Sequence, residues 1–172
     1  AQDSMKTSLN SQTTLISEYV AHQEDLLKKF SISPVIIDYL KDLNNKDKQL
    51  KAQLFTENYF KGLDNWEGIY SGEWNTHVVT HSNPKVVGMT TRKGDSLKAL
   101  QNAMKESNGL YNAGIIVSPA SQKLILSMYC PVYDTDGSTI VGYVGGGPYM
   151  EKLESLLNET KKMTKNLYNI RC

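Results

Sequence analysis

The sequence predicts an α+β fold: a long N-terminal helix packed on a five-stranded antiparallel sheet, with one inserted helix and a closing C-terminal helix. Three observations carry that reading. Apolar residues recur at helical spacing through residues 3–30, whereas from Trp66 onward the period is that of short strands bounded by turn residues. Helical segments come first and strands later, and such segregation argues for α+β rather than α/β.

The first helix is read from the stripe Met5, Leu9, Ile16, Val20, Leu27 and Phe30, with Thr13 and Gln23 at compatible spacing. A helix of this extent is about 42 Å long, more than the width of such a domain, so its first turns are expected to protrude. Ser33-Pro34 reads as an N-cap followed by proline at the first helical position, opening a short helix to about Leu43. A third helix spans 47–61, with Leu50, Leu54 and Phe55 as its buried side and Gly62 just past its end.

"WEGIYSG" and "THVVTHS" are strands joined by the loop "EWN", and residues 95–106 form a helix with Asp95 as its cap. "AGIIVSP" (113–119) and "KLILSMYCPVYD" (123–134) are strands, Asp136-Gly137 marks a hairpin, and "STIVGYVGG" is the fifth strand. The closing helix covers 149–164, with Leu153, Leu156, Leu157 and Met163 on one side. The chain then divides into a stalk or dimer helix (1–31), a sheet-bearing module (32–164) and a following segment (165–172). In "NLYNIRC", Leu167, Tyr168 and Ile170 read as the start of another strand, and of a second module.

The 172 residues suit one domain with a sizeable core. With 19 basic against 18 acidic residues, the net charge of +1 gives no basis for a nucleic-acid partner. No run of 18 apolar residues occurs and no signal peptide is visible. The chain begins without Met and ends abruptly, as a piece of a longer protein would. Cys130, within "LILSMYCPV", reads as a small buried hydrophobe; two cysteines make no disulfide framework.

Catalytic signatures are wanting. "GYVGGGPYM" has neither the lysine nor the spacing of a phosphate loop. His77 and His81, four apart in a strand, stand roughly 13 Å from each other, too far to share a metal ion. Ser82-Asn-Pro-Lys85 matches Ser-x-x-Lys only formally, because Pro84 lies inside it. Asp134 and Asp136 suit turn geometry. No enzyme activity, cofactor or metal is implied. Hydroxyls do recur on the strands, at Tyr70, Ser118, Ser127, Tyr129 and Tyr143. Arg92 is the one arginine of the strand-and-loop half before Arg171. Rings, hydroxyls and one guanidinium suit a small-anion pocket; equally, the tyrosines can pack the core with their tips in water.

Residues 32–149 resemble the Cache domains, PAS-like extracytoplasmic sensors of bacterial chemoreceptors, sensor kinases and diguanylate cyclases. The resemblance is carried by "SPVIIDYL" (33–40), "WEGIYSGEWNTHVVTHSNPKVVG" (66–88), "GIIVSPAS" (114–121) and "MYCPVYDTDGSTIVGYVGG" (128–146). It implies a PAS-like sheet, a small-molecule ligand held between sheet and lid loops, and signalling rather than turnover. It also implies an N-terminal helix rising from a membrane anchor, a homodimer through that helix, and an extracytoplasmic location. A ligand-free dimerisation spacer is the alternative.

On this resemblance the ligand contacts are expected to be Tyr70, Arg92, Ser118, Tyr129, Tyr143, Gly145 and Gly146, between the sheet and the 83–95 loop. In amino-acid-sensing double-Cache proteins an aspartate ends the last strand of the distal module and holds the ligand ammonium. Here that place falls near Gly147, in "GYVGGG", so a neutral or anionic ligand is expected over a zwitterionic one. The glycines have two readings: close approach of ligand or lid to the backbone, or an exit turn into the last helix.

Overall fold

A single helix, α1 (Gln2–Ser31), opens the computed structural model, which describes the backbone of residues 2–171 and all side chains there except those of 2–5, 7–9, 12 and 171. The short α2 (Pro34–Leu40) and α3 (Lys46–Lys61) follow. Strands β1 (Trp66–Gly72) and β2 (Val78–His81) lead through a 3-10 turn (Pro84–Val86) to α4 (Gly94–Glu106). The remaining elements are β3 (Tyr111–Val117), β4 (Leu124–Tyr133), β5 (Ile140–Pro148) and α5 (Glu151–Arg171). The strands form one antiparallel sheet in the order β2-β1-β5-β4-β3. This is the α+β, PAS-like architecture expected from the sequence.

Two compact units divide the chain: Glu24–Tyr149, and Ala1–Gln23 with Met150–Cys172. The first holds the sheet. On one of its faces Leu27 and Phe30 of α1, Ile36, Tyr39 and Leu40 of α2 and Ile69, Met128, Cys130 and Val144 of the strands are buried. Phe30 stacks on Phe55 and meets Tyr59, whose hydroxyl donates to the Leu26 carbonyl. Thr56, Thr80 and Ser71 link α3, β2 and β1 through buried hydroxyls, with 2.9 Å between the two threonines. Each buried aliphatic side chain contributes about 1.5–3 kcal/mol, so this layer fixes the sheet on which the opposite face is built.

Several expectations need correction. On α3 the buried residues are Ala52 and Thr56, while Leu50 and Leu54 are 59% and 60% exposed. Small residues lie beneath α3 because its contact with β2 is made by hydroxyls, and the leucines fall on its outer side. The second helix stops at Leu40 rather than Leu43, and Asn45 caps α3 by accepting from the Lys48 amide at 3.1 Å. Helix α4 starts at Gly94, so Asp95 lies in its first turn and is not its cap.

The second unit holds the first part of α1 and α5. Ile16 and Val20 are half-buried; the side chains of Met5 and Leu9 lie outside the described residues. Helix α5 runs to Arg171, so Leu167, Tyr168 and Ile170 belong to a helix and do not open a strand. Their spacing of one and two residues imitates a strand, but the helical pattern of the preceding turns continues through them. No helix among the described residues is long and apolar enough to cross a membrane.

Candidate functional site

Antiparallel register builds the site. His81, Tyr70, Gly145, Tyr129 and Tyr111 stand side by side across β2, β1, β5, β4 and β3, one from each strand. Side chains of such a row share one face, here the face opposite α2 and α3. Tyr143 lies two residues before Gly145 on the central strand. Leu100 and Met104 of α4 pack against Tyr129 and Tyr143, with Tyr70, Trp74 and Tyr111 at the margin. The rings are ordered against one another. His81 stacks on Tyr70 at 5.4 Å, Tyr143 meets Tyr70 edge-on at 5.8 Å, and Tyr129 lies 6.1 Å from Tyr111.

The glycines of "GYVGGG" make room for this lattice. A Cβ on Gly145 would stand 2.5 Å from the Tyr70 hydroxyl and 2.6 Å from Cζ, so the Tyr70 ring lies across the central strand. Gly72 does the same for Tyr143, whose Cε1 would be 2.6 Å from a Cβ there. Since Tyr70 pairs with Gly145 and Gly72 with Tyr143, each strand lays a ring over its neighbour's glycine. Gly146 has φ +153 and a Cβ there would meet the Gly68 carbonyl; at Gly147 it would collide with the Leu126 carbonyl. The glycines therefore serve ring and strand packing. The gap at Gly145 is filled by the Tyr70 ring, and Gly145, Gly146 and Gly147 all lie inside β5, which corrects the reading of a mere exit turn.

Arg92 reaches the lattice from the loop before α4. Its Nη2 donates to the Tyr129 hydroxyl at 3.1 Å, and its guanidinium lies 5.9 Å from that ring's centre. The Ser127 hydroxyl donates to the same oxygen at 3.1 Å. Tyr129 Oη thus accepts twice, and its own proton is directed at neither neighbour. Tyr143 Oη is buried and makes no hydrogen bond of ordinary geometry, its polar neighbours being the Thr91 and Tyr70 hydroxyls. Burial pushes the Tyr143 phenol up to about 12, with Thr91 and Tyr70 hydroxyls pulling the other way. Burial and the neighbouring phenols also raise Tyr70, against the Arg92 charge. No described carboxylate figures among the charges acting on either phenol. Arg92 itself is half-buried, whereas Tyr129 and Tyr143 beneath it are buried.

Of the residues singled out in the sequence, Tyr70, Arg92, Tyr129, Tyr143 and Gly145 come together, with Ser127 behind them. Gly146 lies next to them as a strand contact. Ser118 does not join them. Its hydroxyl donates to Glu67 at 2.6 Å and accepts from the Ala120 amide, while Ser121 donates to the other oxygen of Glu67 at 2.9 Å. That network ties the β3–β4 turn to β1, because Ser118 sits past the end of β3 and Tyr111 takes the place on the lattice row. The sequence reading missed Tyr111, Trp74, Thr91 and Thr76. Starting the strand at 113 removed Tyr111 from view; the other three sit in loops, where no periodicity marks them.

The histidines behave as structural groups. His77 Nδ1 contacts the Thr90 hydroxyl at 3.1 Å, and His81 Nδ1 accepts from the Asn83 amide at 2.8 Å. Burial lowers His81 to about 4, which keeps its ring neutral and stacked on Tyr70. Burial pushes the Cys130 thiol up to about 12, away from thiolate chemistry. Among the described residues no cluster of His, Cys, Asp and Glu could hold a metal ion.

No family model matches the chain, and no curated protein sequence matches it. Solved structures do. The sensor domain of the histidine kinase DctB of V. cholerae superposes with a TM-score of 0.70 at 11% identity, covering 90% of this chain and 58% of that one. The ligand-binding domain of the Campylobacter jejuni chemoreceptor Tlp3, in complex with 4-methylisoleucine, gives 0.66 at 13% identity, covering 90% and 61%. The E. coli DcuS sensor domain gives 0.56 at 18% identity, covering 86% of this chain and 97% of that one. The chain thus spans about three fifths of the first two and nearly all of the third. At these identities the likeness is one of fold: the chain has the PAS-like, Cache-type fold of the sensor domains of histidine kinases and chemoreceptors.

Proposed function

We propose that this chain is the small-molecule-sensing domain of a membrane-anchored, extracytoplasmic signalling receptor, and that its ligand is a small carboxylate bound at Arg92, Tyr129 and Tyr143. The observation that carries the proposal is the donor surplus at the site. Arg92 keeps N–H groups beyond the one given to Tyr129, the Tyr129 proton is directed at neither of the groups that donate to it, and the buried Tyr143 hydroxyl has only the Thr91 and Tyr70 hydroxyls beside it. Such a set asks for acceptors, and an anionic acceptor beside a guanidinium forms the stronger, charge-assisted kind of hydrogen bond. The sensing role is supported by the fold shared with receptor sensor domains. Tlp3 is seen with isoleucine and with valine, and the PctC domain of Pseudomonas aeruginosa PAO1 with GABA. Those ligands carry an ammonium as well as a carboxylate; this site matches the carboxylate half. Placing an ammonium beside Arg92 without a carboxylate acceptor costs free energy. Tyr70, which fills the gap at Gly145, forms the floor of the site. Dimerisation through α1 is part of the same proposal.

The second reading, a ligand-free spacer, is favoured by the same Tyr70 ring, because it occupies space that a ligand would otherwise take. A thermal-shift screen separates the two. A ligand at 100 times its Kd adds about 2.7 kcal/mol to the folded state, so saturating propionate, lactate, pyruvate or 4-methylvalerate is expected to raise the melting temperature. A chain unmoved by carboxylates, amino acids, amines and purines alike is a spacer.

A further inference from the structure

Thr76 is fully buried in the β1–β2 turn and holds a φ of +69. A β-branched residue there is a conformational outlier; glycine, or asparagine, is what such a backbone ordinarily takes. Its hydroxyl is used twice on one neighbour: Oγ1 accepts from the Arg92 amide at 3.0 Å and donates to the Arg92 carbonyl at 3.2 Å. The Thr76 carbonyl in turn accepts from the Thr91 amide at 3.2 Å. The loop is sewn to the turn further back by a bridge between His77 and Thr90 and by the Val78 amide on the Met89 carbonyl. That stitching already holds residues 89–91. The Thr76 hydroxyl acts one step beyond, on both backbone groups of Arg92.

We propose that Thr76 is the positioning residue of the site, fixing the backbone of Arg92 so that its guanidinium reaches the Tyr129 hydroxyl, and that this clamp is why a strained threonine stands where glycine would fit. The proposal rests on Arg92 being the ligand anchor. Glycine would relieve the backbone and lose the clamp. Valine would keep the shape and lose it. Serine keeps it. A merely structural threonine would rank these three by stability; a positioning one ranks them by where Arg92 sits.

The test uses Thr76→Gly, Thr76→Val and Thr76→Ser of this chain, with Arg92→Ala as reference. The ligand-free readout is the Nε–Hε NMR signal of Arg92. It is expected to move toward the position of free arginine in Thr76→Gly and in Thr76→Val, and to stay near wild type in Thr76→Ser. Thr76→Gly keeps the test open if Thr76→Val fails to fold. For binding, calorimetry with 4-methylvalerate is expected to show a loss of ten-fold or more in Thr76→Gly, less than three-fold in Thr76→Ser, and no further loss when Thr76→Gly is added to Arg92→Ala. An Arg92 signal unmoved by Thr76→Gly overturns the proposal, as does wild-type affinity in that variant beside a clear loss in Arg92→Ala. Binding untouched by Arg92→Ala instead overturns the carboxylate reading, and the NMR signal still decides whether Thr76 places the guanidinium.

Discussion

Gly145→Ala is the substitution most sharply determined by the structure. Gly145 needs no left-handed backbone, since its φ is not among the positive values, so an alanine there meets only a packing problem. The new methyl would stand 2.5 Å from Tyr70 Oη and 2.6 Å from Cζ, against ordinary contacts of about 3.5–4.0 Å. The ring must therefore retreat by about 1 Å. Its retreat is blocked by the His81 stack on one side and the Tyr143 edge on the other. Overpacking of this kind costs about 1–3 kcal/mol, and at about 2–4 °C per kcal/mol for a chain of this length the melting temperature falls by about 2–12 °C. Circular-dichroism melts of the single and double variants measure it. Tyr70→Ala removes the obstacle, so in that background Gly145→Ala should be neutral or slightly stabilising, because alanine has the lower unfolded-state entropy. If Gly145→Ala is harmless in the wild type, or equally damaging with and without Tyr70, the ring-over-glycine account is wrong.

Other expected outcomes follow from the same geometry. Tyr143→Phe removes a buried hydroxyl that makes no hydrogen bond of ordinary geometry and has only the Thr91 and Tyr70 hydroxyls beside it; the stability of the free protein should change by no more than about 1 kcal/mol, while carboxylate affinity falls, a separation read by melts and calorimetry. Ser118→Ala breaks the Glu67 latch on the β3–β4 turn; stability should drop by about 1–2 kcal/mol, with ligand affinity unchanged. His81 is held near 4 against an ordinary 6.5, so between those values the unfolded chain binds the extra proton and stability falls as pH falls from 6.5 toward 4, by about 1–3 kcal/mol. The non-titrating His81→Asn should lack that component in a pH series of denaturant unfolding curves.

The fold was legible where periodicity is strong. The stripe through Leu27 and Phe30, the strand pair "WEGIYSG" and "THVVTHS", and the turn at Asp136-Gly137 each carry a local signal, and the sheet follows from their order. Legibility failed where a residue's environment is set by a partner distant in sequence. Leu50 and Leu54 look like a core stripe, but α3 meets β2 through Thr56 and Thr80, a pairing 24 residues apart that no spacing announces. The candidate cluster is half legible: Tyr70, Tyr129, Tyr143 and Arg92 stand out in the sequence as hydroxyls and a lone guanidinium, and the structure brings them together. Their mutual arrangement depends on cross-strand register, which is why Ser118 was wrongly grouped with them and Tyr111 overlooked. The glycines were the hardest to read, because Gly145 and Gly72 are explained only by rings on the neighbouring strand. Thr76 carries no sequence signal, its strain being a property of the folded turn.

The central claim is that Arg92 anchors a carboxylate at a site where, among the described residues, no carboxylate acts on the Tyr70 or Tyr143 phenols to hold an ammonium. The most direct measurement is a calorimetric comparison of matched pairs that differ only by the amino group, 4-methylvalerate against leucine and propionate against alanine, on wild type and Arg92→Ala. The expected result is tighter binding of the desamino member of at least one pair, weakened about 10- to 100-fold by Arg92→Ala, the range of one charge-assisted contact. Tighter binding of the amino acid in every pair that binds, or a carboxylate affinity that Arg92→Ala leaves unchanged, would contradict the account.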